Sequence, residues 1–166
     1  LADDHALVRR GVRLILEQEP DLQVVAEAAD GLEAVERVRD SPVDLVVLDI
    51  AMPRMTGLQA ASTIARHPEP PKILMLSMYD NREYVISAIR AGAAGYVLKD
   101  ASSKEIITAI RAVAAGGSYY SAPLTTALAT GGSEPPPLTE REREVLILVA
   151  QGNSNKRIAQ QLDVSV

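Results

Sequence analysis

Four short apolar runs in this chain each stop at a polar side chain suited to chemistry. Asp3 and Asp4 follow Leu1-Ala2, Asp49 follows Leu45-Val46-Val47-Leu48, Ser77 follows Ile73-Leu74-Met75-Leu76, and Lys99 follows Gly95-Tyr96-Val97-Leu98. Uninterrupted apolar runs of this length read as strands buried on both faces, the habit of parallel sheets. In an open α/β sheet, ligands sit beyond the carboxyl ends of the strands, so side chains from distant parts of the sequence converge in one crevice. Here that crevice would hold the carboxylates of Asp3, Asp4 and Asp49, the Ser77 hydroxyl and the Lys99 ammonium. Crowded carboxylates raise one another's pKa unless a cation lies between them. Oxygen donors of this kind suit a hard divalent cation, most simply Mg²⁺.

Helical and strand patterns alternate along the chain. Leu7, Val8, Val12, Leu14, Ile15 and Leu16 recur at helical spacing over residues 5–19, with Pro20 just beyond. A strand is expected over 22–28, and amphipathic helices over 31–39, 58–66, 82–91 and 103–114. Together with the polar-ended runs these make a (βα)5 α/β fold, a parallel sheet covered on both faces. The first strand is nearly absent from the sequence, although it should be central.

Gly116-Gly117 closes the fifth helix, so a first domain is expected over 1–117. Residues 118–137 read as a linker that could carry a short helix at 122–129, because Gly131-Gly132-Ser133-Glu134-Pro135-Pro136-Pro137 is flexible at its start and stiff at its end. A small all-α domain then begins over 138–166. Thr139 and Glu142 form a capping box for a helix with Val145, Leu146, Leu148 and Val149 on its apolar face, closed by Gly152. Asn155 caps a second helix carrying Ile158, Ala159 and Leu162. Two such helices cannot bury a core of their own, and the sequence stops at Val166 as though cut.

Composition narrows the chemistry. A chain of 166 residues with 47% hydrophobic content can pack one ordinary domain plus a small second one. The absence of cysteine removes disulfides, thiolate nucleophiles and Cys-rich zinc sites, and the only histidines, His5 and His67, are far apart in sequence. Metal chemistry must therefore use oxygen, and neither histidine is given a catalytic role. No apolar stretch is long enough to span a membrane and no signal-peptide pattern opens the chain, so a cytoplasmic address is expected. A net charge of −5 argues against a chain that coats nucleic acid non-specifically.

On Asp3-Asp4, Asp49, Met52-Pro53, Gly57, Ser77 and the Gly95-Tyr96-Val97-Leu98-Lys99 run, the first segment resembles a two-component receiver domain with the flavodoxin-like fold shared by CheY. Leu138-Thr139-Glu140-Arg141-Glu142, Ala150-Gln151-Gly152-Asn153 and Asn155-Lys156-Arg157-Ile158-Ala159 resemble the opening of a LuxR-type helix-turn-helix whose recognition helix is absent. Together they are similar to response regulators of the NarL/FixJ subfamily. That resemblance implies a sheet order of 2-1-3-4-5 and a transcriptional regulator phosphorylated by a sensor histidine kinase. It implies Asp49 as phosphoryl acceptor and, with Asp4 and the Ala51 backbone carbonyl, as Mg²⁺ ligand, while Asp3 acts through a coordinated water. Lys99 would pair with one phosphoryl oxygen and Ser77 would donate to another, both drawn inward only with the phosphate, and Tyr96 would rotate toward the space that Ser77 leaves. The intact protein would bind promoter DNA, dimerising on phosphorylation, and need no membrane. Lys156 and Arg157 are candidate contacts to the DNA backbone, although paired bases on an exposed helix are commonly just solvated.

Two sequence features depart from many receivers. Asp100 stands where proline commonly follows the lysine, so a trans Lys99-Asp100 bond is expected. Ala51 and Tyr79 flank the path of the hydrolytic water in receivers, which predicts slow loss of the phosphoryl group. Other readings fit less well. A phosphohydrolase of the haloacid dehalogenase class carries Asp-x-Asp after its first strand, whereas Asp49-Ile50-Ala51 has alanine there and ends the third strand. A flavodoxin-type FMN carrier would need a hydroxyl- or glycine-rich loop where this chain has two acids. A receiver working only through protein contacts remains the remaining alternative to a DNA-binding regulator.

Overall fold

The computed structural model describes residues 1–121 together with Thr125, Thr139, Leu148, Arg157 and Leu162. The expected helices around 122–129 and in the C-terminal domain, and Lys156, lie outside the described residues apart from these single positions. The chain divides into two compact units, Leu1–Gly131 and Gly132–Val166. Among the described residues no helix is long and apolar enough to cross a membrane.

The helices are α1 (Ala6–Leu16), α2 (Gly31–Asp40), α3 (Gly57–Ile64), α4 (Arg82–Arg90) and α5 (Ser103–Ala114). Three of them begin at a side chain that satisfies the free N–H groups of the first turn. Asp30 accepts from Leu32 and Glu33, Thr56 forms a reciprocal capping box with Gln59, and Ser102 accepts from Glu105.

The sheet consists of β1 (Leu45–Leu48), β2 (Lys72–Ser77), β3 (Gly95–Leu98) and β4 (Tyr119–Tyr120), in that spatial order and parallel throughout. At its other side Ala2 is bridged to both Ala28 and Leu48, so it lies between Ala28 and β1. The Ala2 N–H donates to the Val47 carbonyl and the Asp49 N–H donates to the Ala2 carbonyl, both at 2.9 Å. Alternate strand residues face opposite layers. Val46, Leu48, Ile73, Met75 and Tyr96 pack on α2, α3 and α4, while Val47, Leu74, Leu76 and Val97 pack on α1 and α5.

Two differences from the sequence reading concern the sheet. Of the strand expected at 22–28, the paired part is a single bridge from Ala28 to Ala2. A cleft of about 540 Å³ runs alongside, lined by Leu22, Val24, Val25, Leu45 and Val47 among others. At the opposite edge, β4 extends the sheet into the stretch read as linker. Gly116, at φ +86°, ends α5 and turns the chain back. Gly95 admits the new strand, since a Cβ there would lie 2.9 Å from the Tyr119 carbonyl oxygen.

Candidate functional site

Each polar residue expected in the crevice stands at or just past a strand end, and hydrophobic burial of the runs before them draws them together. Asp3, Asp49 and Ser77 are buried, whereas Asp4 lies on the exposed rim. The Lys99 ammonium sits between two carboxylates, 2.8 Å from Asp3 Oδ2 and 2.8 Å from Asp49 Oδ2. The Lys99 side chain is 6% exposed, held by the field of two buried carboxylates.

The electrostatics follow from this packing. Burial pushes the Asp49 carboxyl above its usual range and the Asp3 charge adds to that, while the Lys99 hydrogen bond and charge oppose it. Burial pulls the Lys99 ammonium down, but the hydrogen bonds and charges of Asp3 and Asp49 together outweigh it and hold its pKa above the usual lysine value.

Ser77 and Tyr96 meet through the backbone of Tyr79. The Tyr79 N–H donates to Ser77 Oγ at 3.1 Å, and the Tyr96 hydroxyl donates to the Tyr79 carbonyl at 2.7 Å. Tyr96 is fully buried, and burial pushes its hydroxyl up to about 12. The Tyr79 ring stacks on Tyr84, with centroids 4.3 Å apart and planes 17° from parallel. No peptide bond among the described residues is cis, so Lys99-Asp100 is trans as expected.

The loop after Asp49 is folded tightly. The Gly57 N–H donates to the Ile50 carbonyl at 2.9 Å, and a Cβ on Gly57 would lie 1.8 Å from the Asp49 carbonyl oxygen. At the loop tip the Met55 N–H reaches the Pro53 carbonyl at 2.6 Å around Arg54, whose φ of +60° is the sole positive value at a non-glycine residue among the described residues. A residue held in that region costs of order 1–3 kcal/mol unless its surroundings impose it. Ala51 lies on the exposed side of this loop.

The donor set fits a hard cation. Asp3, Asp4, His5 and Asp49 each offer one ligand atom, and these atoms all lie within 4.8 Å of one another. Asp3 Oδ2 is buried and, apart from its ion pair with Lys99, accepts no hydrogen bond from the described residues. Carboxylate oxygens with one carbonyl to add form the ligand chemistry of Mg²⁺. His5 was missed from the sequence as a neighbour of the site: its Nδ1 lies 2.8 Å from Asp4 Oδ1 and 3.5 Å from Asp3 Oδ1. The adjacency Asp3-Asp4-His5 was the only signal for it. His67 is remote, its Nδ1 facing the Glu69 backbone. Arg157 is helical and exposed in the second unit.

Comparison with known proteins agrees with this geometry. Residues 1–111 match the response regulator receiver domain, and residues 136–166 match the bacterial regulatory proteins of the luxR family. The chain is 42% identical over 179 aligned positions to the oxygen regulatory protein NreC of Staphylococcus aureus (strain bovine RF122 / ET3-1), covering all of this chain and 82% of that protein. It is similar to the crystal structure of the response regulator ChrA from a heme-sensing two-component system, with a TM-score of 0.66 at 36% identity over 99% of this chain and 80% of that one. A structure of two RcsB dimers bound to two parallel DNAs matches with a TM-score of 0.72 at 27% identity, over 99% of this chain and 81% of that one.

Proposed function

The chain belongs to the response regulator receiver family and carries a LuxR-family regulatory module, and from that premise we propose that Asp49 accepts a phosphoryl group from a sensor histidine kinase to control promoter binding. The observation that carries the assignment is the buried Asp49 carboxylate facing the Lys99 ammonium at 2.8 Å beside Asp3. No other arrangement among the described residues joins a nucleophile, a cation and a metal-ligating cluster.

In this reading an Asp49 oxygen attacks phosphorus in line. The new O–P bond forms as the P–N bond to the kinase histidine breaks, and the imidazole keeps the electron pair. Lys99 moves its ammonium from the carboxylate pair toward a phosphoryl oxygen, a short shift because it already touches Asp49. Ser77, whose Oγ accepts from the Tyr79 N–H, turns its O–H toward a second phosphoryl oxygen. Asp4, Asp49 and the Ala51 carbonyl would hold Mg²⁺ directly, with Asp3 acting through a water. Bound there, the cation would offset the repulsion between carboxylate and phosphoryl group and align the two. The protein's catalysis would extend no further than forming and hydrolysing its own acyl phosphate.

The division into a receiver over 1–117, a linker over 118–137 and the start of a helix-turn-helix over 138–166 belongs to the same reading, supported by the separate family matches. Homodimerisation on phosphorylation and DNA-backbone contacts from Lys156 and Arg157 are part of it too. A promoter target implies a cytoplasmic site of action.

A gel-shift titration of the full-length protein against a target promoter found by footprinting, with and without acetyl phosphate, tests the regulatory output. The expected result is sequence-specific retardation that tightens with the phosphodonor in the wild type and not in Asp49→Asn. Phosphorylation without any specific DNA complex would instead support a receiver that works through protein contacts alone.

A further inference from the structure

Asp30 and Arg54 form an ion pair beside the acceptor loop. Asp30 is buried at 4% exposure although it lies at the start of a helix. Its Oδ1 caps α2, accepting from Leu32 N–H at 2.9 Å and Glu33 N–H at 3.0 Å. A cap needs only one oxygen. The other, Oδ2, accepts from both Nε and Nη2 of Arg54, with Nε at 2.6 Å. Beside the pair, the Gly31 N–H donates to the Met55 carbonyl at 3.1 Å, an approach that a Cβ on Gly31 would close to 2.4 Å. Arg54 is thus gripped on both sides, by its own guanidinium and by the backbone of the residue after it.

The gripped residue is the strained one. A three-residue turn closed from Met55 to Pro53 with its central φ positive is the rare form of the γ-turn, and most side chains favour leaving that region. At its base the same loop is closed by the Gly57 to Ile50 hydrogen bond, so Ala51 lies on a short arch pinned at foot and tip. Releasing the tip would let the arch relax and turn the peptide groups within it.

We propose that the Asp30–Arg54 ion pair is a positioning clasp for cation binding: it holds the turn after the acceptor, and through it the Ala51 carbonyl, in the orientation that a divalent cation requires. The inference rests on the role assigned to Ala51 under the proposed function. Neither clasp residue touches the cation. Both act through the loop, as outer groups that orient metal ligands do.

The test is calorimetric titration of the full chain with MgCl₂, paired with thermal melts. Arg54→Ala and Asp30→Asn should each weaken Mg²⁺ binding about tenfold, and the double variant should bind no more weakly than either single one. Asparagine still caps α2, so the Asp30→Asn variant stays folded. Arg54→Gly should recover most of the affinity, because glycine occupies positive φ without a clasp. In phosphorylation by acetyl phosphate, the Mg²⁺ concentration for half-maximal rate should rise in Arg54→Ala while the maximal rate is unchanged. Lowered melting temperatures with unchanged Mg²⁺ affinity would reduce the pair to a helix cap and overturn the inference alone. A wild-type chain that binds no Mg²⁺ would overturn the metal-site reading together with it.

Discussion

With its ammonium 2.8 Å from both Asp3 and Asp49, Lys99 offsets a repulsion that the fold would otherwise bury unopposed. Removing one partner from a buried ion cluster commonly costs about 3–5 kcal/mol, because the remaining charges stay desolvated. Lys99→Met should therefore lose stability on that scale in urea denaturation at neutral pH, and saturating Mg²⁺ should return part of it by binding only the native state. A loss that is absent, or indifferent to Mg²⁺, would show that the carboxylates are not electrostatically coupled. Tyr96 offers a second test. Its hydroxyl is raised from 10.0 to about 12 by burial, so the folded state holds the phenolic proton more tightly than the unfolded chain. The stability this supplies is complete below pH 10 and is lost as pH rises toward about 12. Tyr96→Phe gives up the hydrogen bond to the Tyr79 carbonyl, about 1 kcal/mol at neutral pH. Its deficit against the wild type should shrink above pH 10, and a constant gap across that range would contradict the buried phenol.

At the scale of elements, close backbone approach is what joins α3 to the end of β1. Gly57→Ala would force a Cβ to 1.8 Å from the Asp49 carbonyl oxygen, and overpacking of that kind costs about 3 kcal/mol or more. Gly11 is the contrasting case, a helix-interior glycine of α1 whose added Cβ meets nothing within 4 Å. Gly11→Ala should gain about 0.5–1 kcal/mol. Chemical denaturation of the two variants should move in opposite directions, and equal losses would mean that neither approach is as described. The helices were legible because their signal is local: Ile106, Ala109, Ile110 and Val113 recur at helical spacing, and Ser102 precedes them as a cap. Strand 22–28 is paired only where Leu1 to Asp3 lie beside it, with Ala28 bridged to Ala2, because a ladder needs a partner as well as strand-like residues. The Tyr119–Tyr120 strand was missed because its ladder depends on the bare backbone of Gly95 far back in the sequence. The Asp30–Arg54 clasp spans 24 residues between two loop positions of ordinary type, so no pattern marked it.

For the whole molecule, Asp49, Lys99, Ser77 and the Asp3-Asp4 carboxylates all fall within the unit Leu1–Gly131, while the LuxR-family match falls within Gly132–Val166. The site was legible in outline because strand-end position is a topological property that short apolar runs reveal. What stayed hidden was orientation, namely Lys99 turned onto the carboxylates and Tyr96 turned inward onto the Tyr79 carbonyl. The family match and the crevice geometry meet in one claim, that this unit carries its signal as an acyl phosphate on Asp49. Incubation of the chain with acetyl phosphate, with Mg²⁺ or with excess EDTA, followed by intact mass and peptide mapping, tests it directly. The account predicts one hydroxylamine-labile phosphoryl group on Asp49 in Mg²⁺, none in EDTA and none in Asp49→Asn; equal labelling of the wild type and Asp49→Asn, or labelling indifferent to Mg²⁺, would contradict it.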